Sequence, residues 1–213
     1  MNKRKFIQQL ALGALLLFVL SKALPYVIGG KVKTLNVQTA QLETLLGDMA
    51  WVSPGLPQDR VLYQISFRTC PPCINYHKSE FPKLQEMGVD TRLFVFARAE
   101  TPEQNPNEWA VIAKLYETRS WDLAQKWWAR NSPNRFYAKE MGDIPPAVND
   151  EDRTALVRNG RDQMGQLQDI LTANDINMAT PTLLWQNKQG QWKAAIGNNP
   201  AMNAQIRKDL SAK

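Results

Sequence analysis

The sequence predicts an α/β domain made of a β-α-β half, a helical block and a β-β-α half. Three observations lead there. Two runs of β-forming residues, Val61–Phe67 and Thr91–Ala97, flank a helical pattern about as long as a parallel crossover requires. From Glu103 to Ile176 the apolar residues recur at helical spacing. Two further β-type runs then lie on either side of Asn187-Lys-Gln-Gly190, and a final helical segment follows.

Residues 31–59 read as a linker with one short amphipathic helix near Thr39–Met49 and a turn at Ser53-Pro-Gly-Leu-Pro57. The domain proper is expected over residues 60–213. Its first strand is Val61–Phe67, and Ile74–Met87 can form the crossover helix. Pro82 is expected to kink or break that helix near Glu80-Phe81, and Gly88 supplies a stop signal. Thr91–Ala97 is the second, buried strand.

The helical insert occupies about residues 103–176. Trp109, Ile112, Ala113 and Tyr116 mark one segment, and Trp121, Ala124, Trp127 and Trp128 a second. A break at Asp143-Ile-Pro-Pro146 precedes a third, Asp150–Asn174, with Leu156, Met164, Leu167 and Leu171 at its apolar positions. Gly160 and Gly165 weaken its continuity. Thr182–Gln186 and Gln191–Ile196 form the hairpin, and Pro200–Leu210 closes the chain as a helix.

The chemistry centres on Cys70-Pro71-Pro72-Cys73, which holds the only two cysteines. A Cys-x-x-Cys at a strand-to-helix junction puts its first sulfur at a helix N-terminus. There unpaired N–H groups and the helix dipole favour a thiolate. That is the arrangement of a dithiol that exchanges electrons with disulfides of other proteins, and it calls for no cofactor. A structural bridge over so short a loop would constrain the unfolded chain weakly. A four-ligand zinc site lacks its second pair of cysteines.

The chain has 213 residues, 44% hydrophobic and 22% charged, ordinary for a globular protein. Its +6 net charge is uneven. Lys3, Arg4, Lys5 and Lys22 stand in the first thirty residues with no acid among them; 26 basic residues less those four leaves 22, against 20 acidic ones. No basic stripe is interleaved with aromatics, so nucleic acid is not an expected partner.

Residues 1–30 read as a signal peptide or an N-terminal membrane anchor. Lys3-Arg4-Lys5 precedes an uncharged apolar run, Phe6–Ser21, as in an export signal, and Ser21-Lys22-Ala23 offers small residues for cleavage. Continued through Ile28 the apolar stretch is long enough to span a bilayer as an uncleaved anchor, the preferred reading. Either way the rest of the chain is expected outside the cytoplasm, where disulfide exchange is needed.

His77, the only histidine, follows Cys73 by one helical turn. Cys70, Cys73 and His77 are therefore three candidate ligands for copper or zinc, although a histidine here is more simply a partly exposed helix residue. Most of the tryptophans fit core positions. Trp127 and Trp128 are adjacent and cannot both be central on one helical face, so one is expected at the surface as a partner-binding element. Glu151 and Asp152 read as helix-start charges.

Phe67-Arg-Thr-Cys-Pro-Pro-Cys-Ile-Asn-Tyr-His77, the strand Arg92–Phe96, the helical insert and Ala179-Thr-Pro-Thr-Leu-Leu184 resemble the catalytic domain of bacterial periplasmic disulfide isomerases of the DsbC/DsbG type. The resemblance spans about residues 60–211 and implies a thioredoxin-like fold. It also implies that Cys70 is the nucleophile, Cys73 the resolving cysteine, and Thr180-Pro181 a substrate-binding cis-proline loop. Residues 31–59 are too short for the dimerisation domain of that family. The motif residues Pro71 and Pro72 also depart from its usual dipeptide. Each removes an N–H that would stabilise a Cys70 thiolate, so the disulfide is expected to be less oxidising than in the DsbA type.

The expectation is thus an exported thiol:disulfide oxidoreductase of reductase or isomerase type. It would act on cysteine-containing proteins at the periplasmic side of the inner membrane, anchored there or soluble if the signal is cleaved. A membrane redox partner would reset it. The alternatives are a DsbA-like dithiol oxidase and a metal carrier using Cys70, Cys73 and His77.

Overall fold

The computed structural model describes residues 31–57, 59–129, 141–142 and 144–212. Five strands make one mixed sheet: β1 (Lys33–Thr34), β2 (Val61–Ser66), β3 (Asp90–Val95), β4 (Thr182–Gln186) and β5 (Trp192–Ile196), in the order β1-β5-β4-β2-β3. β2 and β3 run parallel, from Val61 opposite Asp90 to Ser66 opposite Val95. β4 is antiparallel to both β2 and β5, and β1 is antiparallel to β5. The helices are α1 (Thr39–Asp48), α2 (Pro71–Glu86), α3 (Pro106–Thr118), α4 (Trp121–Ala129), α5 (Glu151–Ala173) and α6 (Pro200–Asp209).

Local chemistry sets most of these boundaries. Pro71, Pro106 and Pro200 each open a helix, where a missing N–H costs nothing. Side-chain oxygens of Asn105, Asp150 and Asn199 accept from the backbone N–H groups of Glu108 (3.2 Å), Arg153 (3.1 Å) and Met202 (2.9 Å). β2, β3 and β4 are buried along nearly their whole length, as expected of strands covered on both faces. α2 supplies the crossover between the parallel strands. α5 is unbroken through Gly160 and Gly165, and α3 packs along it.

Three expectations are corrected. Residues 31–59 are not a free linker up to Val52. β1 forms one edge of the sheet, α1 packs against α5, and Val52 bridges Leu93 on the strand at the opposite edge. The physical reason is apolar burial: Leu35, Leu42, Leu45, Leu46, Met49 and Val52 all join the core.

Pro82 does not end its helix, which continues to Glu86. Pro82 lies on the exposed side, and the carbonyl it leaves without a donor belongs to Lys78, also exposed. Phe81, stacked on Trp121 of α4, and Leu84 are both buried on either side of it and hold the helix in place.

Trp127 and Trp128 are both buried, so neither is a surface element. They are about 100° apart around α4, within the width of a core-facing stripe, and their rings meet edge to face at 5.7 Å. Among the described residues no helix is long and apolar enough to cross a membrane. Residues 1–30, on which the signal or anchor expectation falls, lie outside the described residues.

Candidate active site

β2 ends at Ser66, and the chain turns through Arg68-Thr69 before entering α2. The backbone N–H of Cys70 donates to the Phe67 carbonyl at 3.2 Å, closing this turn. Cys70 thereby becomes the N-cap of α2, with extended backbone angles. Its sulfur is joined to that of Cys73, with the Cα atoms 5.2 Å apart.

A capping side chain is reached by the N–H groups of the second and third helical residues. Here the second is Pro72, which has none. The Cys73 N–H alone donates to Cys70 Sγ, at 3.2 Å. Pro71 and Pro72 are exposed, while Cys70 keeps 2% of its surface and Cys73 none. The first cysteine is therefore the one nearer to solvent.

The surroundings combine apolar and polar groups. Phe67 is half-buried and meets Phe96 edge to face at 5.8 Å, with the Arg98 guanidinium 4.8 Å from the Phe67 ring centre. Arg68, two residues before Cys70, is buried, its guanidinium 5.8 Å from the Trp128 ring centre, and burial lowers its pKa. From below, the Gln64 side chain of β2 donates through Nε2 to the Cys73 carbonyl at 3.2 Å.

Thr180-Pro181 is a cis peptide, as the resemblance implied. Ile65 pairs with Thr182, so continuing that antiparallel register brings Pro181 level with Ser66, at the end of β2 that leads to Cys70. The cysteine pair and the Thr180-Pro181 segment thus occupy the same end of the sheet.

His77 is not partly exposed. It retains 4% of its surface and stands among Phe81, Trp121 and Trp128, with ring centres at 4.7, 5.7 and 5.7 Å. Nε2 lies 3.4 Å from Gln125 Oε1 of α4. Burial pushes its pKa down to about 4, keeping the imidazole neutral. It serves as a packing residue between α2 and α4. The three-ligand set is not assembled, since the sulfurs are bonded to each other and His77 sits in this aromatic pocket. Among the described residues no group of three or more His, Cys, Asp or Glu side chains is placed to hold a metal ion.

Gln64 and Ser66 escaped the sequence reading. Alternate polar residues in an apolar run signal a solvent face of a strand. In this fold that face is covered by α2, and both side chains are fully buried.

No protein-family model and no curated protein sequence matches the chain. Solved structures do match. A periplasmic thioredoxin-like protein from Salmonella enterica serovar Typhimurium is 15% identical with a TM-score of 0.55, over 83% of this chain and 99% of that one. The catalytic domain of ScsC from Proteus mirabilis is 13% identical with a TM-score of 0.53, over 84% and 99%. A thioredoxin-like oxidoreductase from Silicibacter pomeroyi is 13% identical with a TM-score of 0.54, over 79% and 94%. At such identities the likeness is one of architecture, and that architecture is the thioredoxin-like fold expected from the sequence.

Proposed function

We propose that the chain is an exported thiol:disulfide oxidoreductase of reductase or isomerase type. The observation that carries this is the Cys70–Cys73 disulfide, formed across the first turn of α2 in a thioredoxin-like fold. A bridge with only two residues between its cysteines adds little stability, so its value lies in opening and closing.

In the reduced protein, Cys70 is the nucleophile. Its thiolate attacks one sulfur of a substrate disulfide, a Cys70–substrate bond forms, and the other substrate sulfur leaves as a thiolate and takes up a proton. Cys73, having lost its proton to solvent, then attacks Cys70 Sγ. The 70–73 bond forms and the second substrate thiol is released. Two electrons have passed from the pair to the substrate. Thr180 and Pro181 would line up the substrate chain beside the cysteines. A membrane thiol reductant would restore the dithiol, and the N-terminal segment would hold the protein on the periplasmic side of the inner membrane.

The loss of one of two capping N–H groups to Pro72 favours this direction over that of a DsbA-like oxidase, because the thiolate form is less supported. The test is equilibration of the full chain in glutathione buffers, with alkylation reporting the fraction reduced. A potential near about −200 mV or lower is expected; one near about −120 mV, the strongly oxidising extreme, overturns the reductase or isomerase reading. Failure of the pair to exchange at all overturns the oxidoreductase reading itself.

A further inference from the structure

The strand that brings the chain into the sheet fixes which end of the domain lies nearest the N-terminal segment. β1 pairs antiparallel with β5, Lys33 opposite Ala194 and Thr34 opposite Lys193. Carried back along that register, Lys31 stands level with Ile196. Ile196 pairs with Thr182, and Thr182 with Ile65, the row from which β2 runs on to Cys70. The chain therefore enters at the end of the sheet that holds the disulfide and Thr180-Pro181. Three strand spacings separate β1 from β2, about 15 Å.

The entry is firmly held. The Leu35 N–H donates to the Trp192 carbonyl at 2.9 Å. The N–H groups of Asn36 and Val37 both donate to Asn174 Oδ1, at 2.8 and 3.0 Å, and Asn174 Nδ2 donates to the Val37 carbonyl at 2.9 Å. Lys33 Nζ donates to the Asp175 carbonyl beside them. From Lys33 onward the chain is thus part of the domain rather than a swinging tether. Only Gly29, Gly30, Lys31 and Val32 stand between Lys33 and the apolar run that ends at Ile28, a reach of at most roughly 17 Å.

The same end is set apart by charge. Residues 69–77, 176–182 and 196–206, the loops and helix starts around the disulfide, contain no Asp, Glu, Lys or Arg. Lys31, Lys33, Arg98, Glu100 and Asp175 stand exposed at its margins. At the opposite end Glu43, Asp59, Arg60, Lys188 and Asp209 surround one cleft. Interface cores are depleted of charge, because each buried charge must be stripped of water.

We propose that the domain is held with its redox end toward the bilayer, so that this uncharged face docks on cysteine-bearing extracytoplasmic loops of integral membrane proteins. The proposal rests on the anchored form of the reading above. The exchange itself is unchanged. The Cys70–Cys73 dithiol becomes a disulfide as a loop disulfide becomes two thiols, with two electrons and two protons passing between them. What the entry point adds is selection by height. A short loop cannot rise to sulfurs held far from the membrane. A domain that pivots at its redox end keeps Cys70 within roughly 30 Å of the apolar span. A bulky soluble protein would have to insert between domain and bilayer to reach the same sulfurs.

The orientation is read in the full chain with Cys70 and Cys73 replaced by serine. It is reconstituted in vesicles of phosphatidylcholine and phosphatidylglycerol that carry a nitroxide on the headgroup. A fluorophore is placed at Ala179→Cys, beside the cis-proline, or at Gln189→Cys, in the β4–β5 turn at the opposite end; both positions are exposed. Fluorescence at position 179 should be lost to quenching, and that at 189 retained. Equal quenching, or stronger quenching at 189, overturns the proposal and leaves the anchor intact. Protein stripped from the vesicles by an alkaline carbonate wash refutes the anchor itself, and the proposal with it.

The partner class is read with the reduced wild-type chain and a single-span peptide in vesicles without nitroxide. The one cysteine of the peptide, capped by glutathione, sits just outside the span or at the tip of a long Gly/Ser extension. The cysteine near the span should be freed faster. A Gly/Ser linker of about 30 residues inserted after Gly30, roughly 30 Å in mean reach, should remove that preference. Equal rates in the wild-type chain overturn the partner class, and a preference that survives the linker overturns the short tether as its cause. A pair that exchanges neither with the peptides nor with free glutathione refutes the oxidoreductase reading instead.

Discussion

Tyr116 closes over Gly160. A Cβ built on Gly160 would stand 2.5 Å from the Tyr116 hydroxyl oxygen and 2.6 Å from its ring. The ring cannot swing away easily: it stacks on Phe94 at 5.4 Å, and its hydroxyl donates to the Val95 carbonyl of β3 at 2.9 Å. Helix α3 is thereby tied at once to the sheet and to α5.

Two glycine substitutions on α5 should therefore act in opposite directions. Alanine is worth up to about 1 kcal/mol over glycine in a helix interior. Gly165 has open space around it, so Gly165→Ala should raise the unfolding midpoint. Gly160→Ala meets the Tyr116 ring, and overpacking of this kind costs about 1–3 kcal/mol. Thermal or urea unfolding of the two variants side by side checks this; a stabilised Gly160→Ala would show that Tyr116 has room to move.

The segment before β2 should behave as part of the domain. Leu42 of α1 is fully buried, and truncating such a leucine costs about 2–5 kcal/mol. Leu42→Ala should lower stability by that amount in denaturant unfolding. A loss below about 0.5 kcal/mol would mean that α1 is a detachable tether after all.

His77 makes stability depend on acid pH. Its folded pKa of about 4 lies below the ordinary value of 6.5 because burial disfavours the charged ring. Between those values the unfolded chain binds more protons than the native one, so stability rises with pH through that window and is level above it. The full span corresponds to roughly 3 kcal/mol. His77→Phe keeps an aromatic ring against Trp121 and Trp128 and should flatten the dependence between pH 4 and 6.5. An identical pH profile would exclude His77 as its source.

Restoring a capping donor should change the redox balance. Pro72→Ala returns the N–H missing from the second helical position, beside a Cys70 sulfur that now accepts only from the Cys73 N–H. The thiolate of the reduced form gains a charge-assisted bond. The glutathione equilibrium is expected to move toward the dithiol by on the order of tenfold. No shift, or one toward the disulfide, would mean that the proline does not limit the thiolate.

The order of attack can be read by trapping. Cys73→Ser should accumulate a mixed disulfide with glutathione or a disulfide-bearing protein, because nothing remains to resolve it. Cys70→Ser should trap far less, its remaining sulfur being wholly buried. Mass spectrometry of the two adducts decides it, and the reverse pattern would make Cys73 the nucleophile.

Much of the architecture was legible in the residues themselves. Strands such as β2 and β4 stand out as runs rich in β-forming residues, and Pro71, Asn105-Pro106 and Asn199-Pro200 mark helix starts through backbone chemistry that acts within a few residues. The cysteine spacing at a strand-to-helix junction likewise needs only local geometry to place Cys70 as the cap of α2. What the sequence by itself determined is therefore the elements, their order and the chemistry of the pair.

Tertiary structure alone decided which surfaces are covered. Lys33-Thr34 is too short a β-run to be read unaided, and becomes a strand because β5 offers it an edge. Trp127 and Trp128 can both be buried only because α4 presents a stripe wide enough for two adjacent rings. Helix α2 turns a polar alternation in β2, which locally signals solvent, into the buried underside of the disulfide. Covering a face depends on contacts between residues distant in the chain, such as Gln64 with α2 or Leu42 with the core beside α5. No local pattern encodes them.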